Sequence, residues 1–222
     1  MKHKIINNFL NKIEKENINY MFSYWGPFLF RTHINSDLTD LIYKEGLDCK
    51  ENWNHGLAGQ IKKEFLYPKK IKIKLFKYLD VYFKNYFKAQ NKHYEQNINI
   101  EKIKIEHLNM WINFQNKNEY NPVHSHNGTH SFVIYCSIPE KIKEEYEKNK
   151  HKTTLLNPGG ITFLYGESPL NFFSSNITTQ AFFPEKNLMF IFPSFLRHHV
   201  FPFKCDATRV SVSGNITVHD HS

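Results

Sequence analysis

Residues 111–140 read WINFQNKNEYNPVHSHNGTHSFVIYCSIPE, and this stretch decides the fold. Two apolar runs rich in aromatic and β-branched residues flank a polar turn that carries His124, His126 and His130. Because side chains two apart share a face of a strand, His124 and His126 aim at one point if the backbone around Ser125 is extended. Imidazole is the commonest metal ligand among side chains, so the pair predicts half of a metal site.

The composition is that of a folded protein. Its 222 residues are expected to form one domain, 1–222, that buries a substantial core, and an aromatic share of 16% exceeds what a disordered chain carries. The net charge of +8 comes mainly from lysines spread along the first 150 positions. Since the charge forms no local stripe and no zinc-finger or RNP-type motif is present, a nucleic-acid partner is not favoured.

Three cysteines, Cys49, Cys136 and Cys205, are isolated in sequence and lack CxxC spacing. This usage fits a reducing compartment rather than a disulfide framework. Residues 1–15 contain no sustained apolar segment of the signal-peptide kind. No run approaches 18 apolar residues, so we expect no membrane partner.

Helical patterns dominate the first part of the chain. Residues 71–96 carry apolar side chains at i, i+3, i+4 and i+7, which predicts a long amphipathic helix packed on a sheet. Shorter helices are predicted at 2–17 and 38–46, and residues 20–34 are expected to be extended. Residues 141–152 form a charged insertion, helical or loop.

Short β-like runs follow residue 97. They are separated by turn clusters and lie at 104–115, 131–138, 160–165, 171–173, 188–192 and 209–218. Helices first and many short strands afterwards predict a mainly β, α+β fold: a sandwich or jelly roll with supporting helices. Within it, 1–97 would be the mostly helical support and 98–218 the jelly-roll core.

A second histidine motif, FPSFLRHHV, occupies residues 192–200. Eleven residues after His198 comes Arg209, in RVSVSGN, where Arg209 and Ser211 alternate with valines and so share a face. A cation on an inward strand face is costly unless it meets an anion. A guanidinium beside a hydroxyl is suited to clamp a carboxylate.

The motifs NPVHSH, FPSFLRHHV and RVSVSGN, in this order, resemble the 2-oxoglutarate/Fe(II)-dependent oxygenase superfamily. More closely, they resemble the small phage and bacterial oxygenases with a prolyl-hydroxylase-like barrel. The resemblance covers residues 111–216. It implies a double-stranded β-helix, a cupin-like jelly roll whose mouth holds iron, with the N-terminal helices packed on it.

The resemblance also implies a site. His124 matches the first metal ligand, His198 the distal ligand, and Arg209 the residue that pairs with the far carboxylate of 2-oxoglutarate, assisted by Ser211. His126 stands where the family has an acidic ligand. We expect His126 to be the third ligand, and the departure leaves open an alternative in which water completes the coordination.

The implied activity is oxidative. The cofactors would be Fe(II), 2-oxoglutarate as cosubstrate and O2, and the reaction would hydroxylate a protein side chain or a small polar substrate while releasing succinate and CO2. The alternative is a non-catalytic metal-binding jelly roll with a structural or virion-associated role. The expected location is the cytoplasm of a bacterial or virus-infected host cell, and a homodimer is left open.

Several polar and aromatic residues near the motifs have an expected place in the pocket or the core. Asn113 and Tyr135 are expected in the cosubstrate pocket and Asn215 is a further polar candidate, whereas Trp111 and Tyr120 are expected in the core.

Two more histidines lie close to the motifs. His130 is expected in a turn or on the substrate side rather than at the metal. His199 should point away from His198 if the backbone is extended.

Overall fold

The computed structural model describes residues 26–150, 157–166 and 178–219. The helix predicted at 2–17 and the strand predicted at 171–173 lie outside these residues. Among the described residues, no helix combines the length and apolar character needed to cross a bilayer.

Three α-helices are described, α1 (Ser36–Leu47), α2 (Lys69–His93) and α3 (Glu140–Asn149). Two 3-10 helices occupy Asn54–Gly56 and Ile100–Lys102. The described strands are, in chain order, β1 (Phe30–His33), β2 (Glu51–Asn52), β3 (Glu64–Leu66), β4 (Lys104–Asn116), β5 (Asn121–His124), β6 (His130–Ser137), β7 (Ile161–Leu164), β8 (Thr179–Phe182), β9 (Leu188–Pro193), β10 (Arg197–Val200) and β11 (Thr208–His219).

The strands form two antiparallel sheets. The larger has seven strands in the order β1-β9-β6-β11-β4-β3-β2, and the smaller has four in the order β5-β10-β7-β8. Rings from the two sheets touch, since Phe163 of β7 lies 5.5 Å from Phe190 and 4.9 Å from Phe192 of β9. The predicted jelly roll with supporting helices is confirmed.

The helices begin where the sequence predicts, within a few residues. Asn35 caps α1, because its side-chain oxygen accepts from the backbone N–H groups of Asp37 (2.8 Å) and Leu38 (3.3 Å). The helix predicted at 71–96 is α2. The charged insertion is helical and forms α3.

The outer face of the seven-stranded sheet is covered by α1 and α2. Six positions of α2 at helical spacing are buried there: Leu75, Phe76, Leu79, Phe83, Tyr86 and Phe87. The Phe83 ring lies 5.5 Å from that of Phe132 in β6, and the Phe76 ring lies 5.8 Å from it. Each such side chain contributes about 1.5–3 kcal/mol by burial, so this contact anchors the sheet.

The strands before residue 98 belong to the same sheet as the later ones. β1 pairs with β9 at one edge, while β3 pairs with β4 and β2 with β3 at the other. The support predicted at 1–97 therefore contributes strands as well as helices. The sequence did not indicate β2, β3 or β8, which have two to four residues each and are too short to show a period.

Candidate metal centre

The three histidines singled out by the sequence, His124, His126 and His198, meet between the two sheets. Their candidate ligand atoms all lie within 4.8 Å of one another, and the Nε2 atoms of His126 and His198 are 3.2 Å apart. In the part of the chain that the structure describes, no other group of histidines, cysteines and carboxylates is arranged to hold a metal.

Strand pairing and one loop contact bring these residues together. His124 ends β5 and is the cross-strand partner of His198 in β10. His126 follows in a loop, and its backbone N–H donates to the carbonyl of Ser194 at 3.0 Å. The third imidazole is therefore positioned by a hydrogen bond to the turn before β10, because the strand itself ends at His124.

Backbone carbonyls orient two of the rings. His124 Nδ1 lies 2.7 Å from the carbonyl oxygen of Pro122, and His198 Nδ1 lies 2.9 Å from that of Leu196. A ring nitrogen that faces a carbonyl oxygen must carry the proton, so in each ring Nε2 keeps its lone pair. This is the arrangement that fixes the tautomer of metal-binding histidines.

Burial keeps all three imidazoles neutral. It lowers the pKa of His126 to about 3, with a further contribution from the neighbouring charge of His124. It also lowers the pKa of His198 well below the ordinary value, and that of His124 less, because the Pro122 carbonyl opposes the effect. Neutral imidazole is the form that binds a metal.

The distance between the Nε2 atoms of His126 and His198 fits two ligands of one divalent ion. Imidazoles bound at about 2.1 Å and separated by about 90–100° at the metal have nitrogens about 3.0–3.2 Å apart. Without an ion, the Nε2–H tautomer of His126 can donate to the Nε2 lone pair of His198 at the observed 3.2 Å. The donor set has no carboxylate, so a bound divalent ion would keep its full charge and favour anionic co-ligands.

Arg209 lies on the inner face of the same cavity, which residues of both sheets line. The residue is only 2% exposed, and its Nη1 donates to the carbonyl of Gly159 at 2.9 Å. Its Nε is buried without a partner, and no carboxylate of the described residues pairs with it. A buried guanidinium in this state is a receptor for an anion.

Three predicted pocket residues accompany Arg209. Ser211 faces Asn113 on one neighbouring strand and Tyr135 on the other, so the three side chains form a row across the sheet. The Arg209 guanidinium carbon lies 5.3 Å from the Tyr135 ring centroid. Burial raises the pKa of Tyr135 to about 12 despite Arg209, so the phenol, which has no partner in the described structure, remains a donor.

Two residues considered from the sequence, His130 and Tyr120, lie outside their expected places. His130 is not at the metal centre, as expected, but it begins β6 and packs against the rings of Tyr86 and Phe87, both at 5.1 Å. It therefore lies on the helix side of the sheet, and the expectation of a turn or a substrate-side place is wrong. Tyr120 was expected in the core and is 41% exposed, because it precedes an edge strand.

The remaining candidates lie close to where they were expected. Trp111 is buried and lines the cavity, with its ring centroid 5.8 Å from that of His126. Asn215 is buried and accepts a hydrogen bond from Ser131 at 2.8 Å, which gives it a structural role. His199 is less buried than His198, as alternation along β10 predicts.

Sequence reasoning missed the carboxyl group of the cavity. Glu64 of β3 is 1% exposed and lines the same cavity as the histidines. β3 has only three residues, so its alternation is invisible in the sequence. The pairing of Glu64 with Asn113, which places both on the inner face, becomes known only with the sheet.

Known proteins resemble the chain in sequence and in fold. Residues 109–215 match the family model described as "Putative 2OG-Fe(II) oxygenase", a stretch that contains the three histidines and Arg209. A search of curated proteins finds no match to the chain.

Three solved structures share the fold at low sequence identity. A viral collagen prolyl hydroxylase from Paramecium Bursaria Chlorella virus-1, in complex with 2OG, is 12% identical with a TM-score of 0.51, over 86% of this chain and 96% of that one. A Pseudomonas putida prolyl-4-hydroxylase is 12% identical with a TM-score of 0.50, over 85% and 91%. A Burkholderia pseudomallei oxidoreductase of the 2OG-Fe(II) oxygenase family is 11% identical with a TM-score of 0.51, over 82% and 78%.

Proposed function

We propose, from the membership of residues 109–215 in the 2OG-Fe(II) oxygenase family, that His124, His126 and His198 hold Fe(II) and that Arg209 binds 2-oxoglutarate beside it. The protein is a hydroxylating dioxygenase that uses Fe(II), 2-oxoglutarate and O2. Its substrate, in this proposal, is a protein side chain or another small polar molecule.

When bound, Fe(II) and 2-oxoglutarate supply the oxidation of a substrate C–H bond by O2, with release of succinate and CO2. The protein itself binds the ion and the cosubstrate and orients them. Carbonyls of Pro122 and Leu196 keep the protons on the Nδ1 atoms, so the Nε2 lone pairs of His124 and His198 stay available for the ion. Three protein ligands leave positions open for the cosubstrate and O2.

Arg209, Ser211 and Tyr135 give the anion its binding energy and direction. The guanidinium carries a buried charge that no described carboxylate neutralises, and the Tyr135 hydroxyl is a buried donor without a partner. A carboxylate that accepts from both would satisfy two groups that are costly to leave unpaired.

One observation carries the proposal. Three imidazoles, two with Nε2 fixed as the free nitrogen, converge in the same cavity as an unneutralised guanidinium. A 2-oxo dicarboxylate fits both at once, because its 2-oxo acid end chelates a metal while its far carboxylate meets the cation.

A non-catalytic metal-binding jelly roll explains less. Structural zinc sites are closed by four protein ligands, often including Cys. Cys49 and Cys136 are buried elsewhere, and the cluster among the described residues has three members. This interpretation also leaves Arg209 without an anion, whereas the oxygenase interpretation accounts for it.

Anaerobic addition of Fe(II) and then 2-oxoglutarate tests the proposal. We expect a visible charge-transfer band that requires both additions, because it arises only when the 2-oxo acid chelates Fe(II). Metal titrations into His124→Ala and His198→Ala are the controls, and both should bind weakly. Wild-type metal affinity in either variant would remove that residue from the site, and no band in the wild type would contradict the proposed chemistry.

A further inference from the structure

The cavity contains one buried carboxyl group that metal and cosubstrate binding leave unused. Glu64 Oε2 accepts a hydrogen bond from Asn54 Nδ2 at 3.3 Å. Among the described residues, Oε1 has no hydrogen-bond donor, although Glu64 lines the cavity. A buried carboxyl oxygen that faces a cavity and has no donor is an unsatisfied hydrogen-bond acceptor.

A second acceptor lies beside it. Asn113 is the direct cross-strand partner of Glu64, so the two side chains project from the same face of the sheet, with Cβ atoms about 5 Å apart. Asn113 Nδ2 donates to the carbonyl of Ser211 at 3.3 Å, which fixes the orientation of the amide. Its Oδ1 is thereby turned away from that bond, and it is buried without a partner.

A third acceptor, the side-chain oxygen of Asn121 in β5, lies beside Gly59 of the loop between β2 and β3. Gly59 lies directly over the carboxyl, since a Cβ there would be 3.2 Å from Glu64 Oε1 and would collide with the side-chain oxygen of Asn121. That oxygen is also buried without a partner in the described structure. Acceptors from β3, β4 and β5 therefore surround one end of the cavity.

The cavity is consequently polarised from end to end. Glu64, Asn113, Ser211 and Tyr135 lie in one row across four adjacent strands. At a strand spacing of about 4.8 Å, Glu64 is about 10 Å from Ser211 and about 14 Å from Tyr135. The anion-binding donors cluster at the Tyr135 end, whereas the unpartnered acceptors cluster at the Glu64 end.

We propose that Glu64 and Asn113 form a substrate subsite that receives a cationic group, an ammonium or a guanidinium. The inference rests on the proposed function and names the chemical class of its substrate. A cation with several N–H donors would satisfy Glu64 Oε1 and Asn113 Oδ1 together, and charge-assisted bonds in a buried site are the strong ones. An anionic substrate group would be repelled from this end.

The charge state of Glu64 agrees with such a role. Burial, and then the charge of Glu119, raise the pKa of Glu64 to about 7. A cation that enters the subsite would stabilise the ionised carboxylate. In the competing structural interpretation, Glu64 stays protonated and donates to Asn113, and the subsite has no preference for charge.

Small probes test the subsite on protein loaded anaerobically with Fe(II) and 2-oxoglutarate, where no turnover occurs. The probes are n-butylamine, n-butylguanidine and the uncharged 1-pentanol, and their dissociation constants are measured by calorimetry. We expect the wild type to bind a cation at least about tenfold more tightly than the alcohol, a difference of about 1.4 kcal/mol. Equal constants in the wild type overturn the proposal without any variant.

Two variants test whether Glu64 causes the preference for cationic probes. Glu64→Gln keeps the shape and removes the charge, so it should abolish the difference between cation and alcohol. Glu119→Gln is the matched control, because Glu119 is also buried but accepts from the backbone N–H of Asn116 at 2.8 Å and does not line the cavity. It should keep the preference or strengthen it, because it removes a charge that raises the pKa of Glu64. A preference that survives in Glu64→Gln overturns the assignment.

The 2-oxoglutarate affinity of each protein separates the possible failures. Failure of the proposed function appears as a wild type that does not bind Fe(II) and 2-oxoglutarate. Failure of the subsite appears as a wild type that binds both but does not distinguish the probes. Glu64→Gln should bind 2-oxoglutarate as the wild type does, and a loss there would place Glu64 in the cosubstrate site instead.

Discussion

The two faces of the seven-stranded sheet carry opposite chemistry on the same strands. Along β11, Val210 and Val212 belong to the apolar cluster under the helices, while Arg209 and Ser211 face the cavity. All four side chains are buried. The outer face consists mainly of packed apolar side chains, and its buried Tyr67 hydroxyl donates to the carbonyl of Ile42, whereas the inner face contains polar atoms that no described residue pairs.

This difference shows how the fold tolerates its site. Buried polar atoms without partners cost about 1–3 kcal/mol each, and Arg209 Nε, the Tyr135 hydroxyl and Asn113 Oδ1 are such atoms. The helix-covered face offsets that cost and fixes the register, because a slip by one residue would exchange the faces. Gly214 contributes to this face, since a Cβ there would lie 2.6 Å from the Phe132 ring.

Truncation on the outer face should cause the largest loss of stability. Phe83→Ala removes a fully buried ring that contacts Phe76 and Phe132, and we expect it to lower the free energy of unfolding by about 3–5 kcal/mol. Chemical denaturation measures this change. The folded fraction should still bind Fe(II), because Phe83 contacts none of the three histidines. A small change would mean that the outer face is not the source of stability.

Truncation on the inner face should act on binding instead. Arg209→Ala removes the buried cation, and the loss of a charge-assisted contact whose partner stays buried costs about 2–5 kcal/mol. The apparent constant for 2-oxoglutarate should therefore rise well over tenfold. Titration of the charge-transfer band gives the constant, and a separate metal titration should show unchanged Fe(II) affinity.

Normal 2-oxoglutarate binding by Arg209→Ala would contradict the binding role of the inner face, because the residue that binds the far carboxylate would then lie elsewhere. Arg209→Lys is the informative companion, since it keeps the charge without the two-pronged geometry. We expect it to recover part of the affinity.

The sequence predicted the parts of the fold that are long or chemically distinctive. The helix α2 extends over about seven turns, and β4, β6 and β11 have 8 to 13 residues each, so their periods are visible. The histidines and Arg209 were found because their residue types are unusual on strands and their order matches a known pattern.

What the sequence could not supply depends on pairing between strands. Glu64 enters the cavity because β3 lies beside β4, and His126 is positioned through the Ser194 carbonyl, a partner 68 residues away. Tyr120 was misjudged because aromatic character alone does not show that the next strand is an edge. Such contacts join distant residues, and no local pattern encodes them.

His126 decides whether the inner face holds the metal through three histidines. If His126 is a ligand, the variant His126→Ala should have a metal dissociation constant at least about tenfold higher, which corresponds to about 1.4 kcal/mol. His126→Asp should restore binding, because it supplies the carboxylate usual in the oxygenases that the chain resembles. Metal titration compares the three proteins.

The competing outcome is distinct. If His126 only hydrogen-bonds near the ion while water completes the coordination, Ala should cost less and Asp should bring no recovery. Full Fe(II) affinity in His126→Ala, together with wild-type succinate formation in the absence of substrate, would contradict the three-histidine site.

His130 gives the smallest effect and tests the outer face by pH. It lies between Tyr86 and Phe87, and burial lowers its pKa to about 4. In the unfolded chain the value is about 6.5, so below that pH the unfolded state binds a proton that the folded state refuses. Stability should therefore fall as pH drops from about 6.5 towards 4, by about 1 kcal/mol between pH 7.5 and 5.5 from this residue alone.

His130→Phe keeps an aromatic ring and removes the titration, and the neutral site histidines contribute equally to both metal-free proteins. As the pH falls from about 7.5 to 5.5, the free energy of unfolding should therefore decrease more in the wild type than in the variant. An equal decrease in both proteins would show that His130 is not held neutral by the helices.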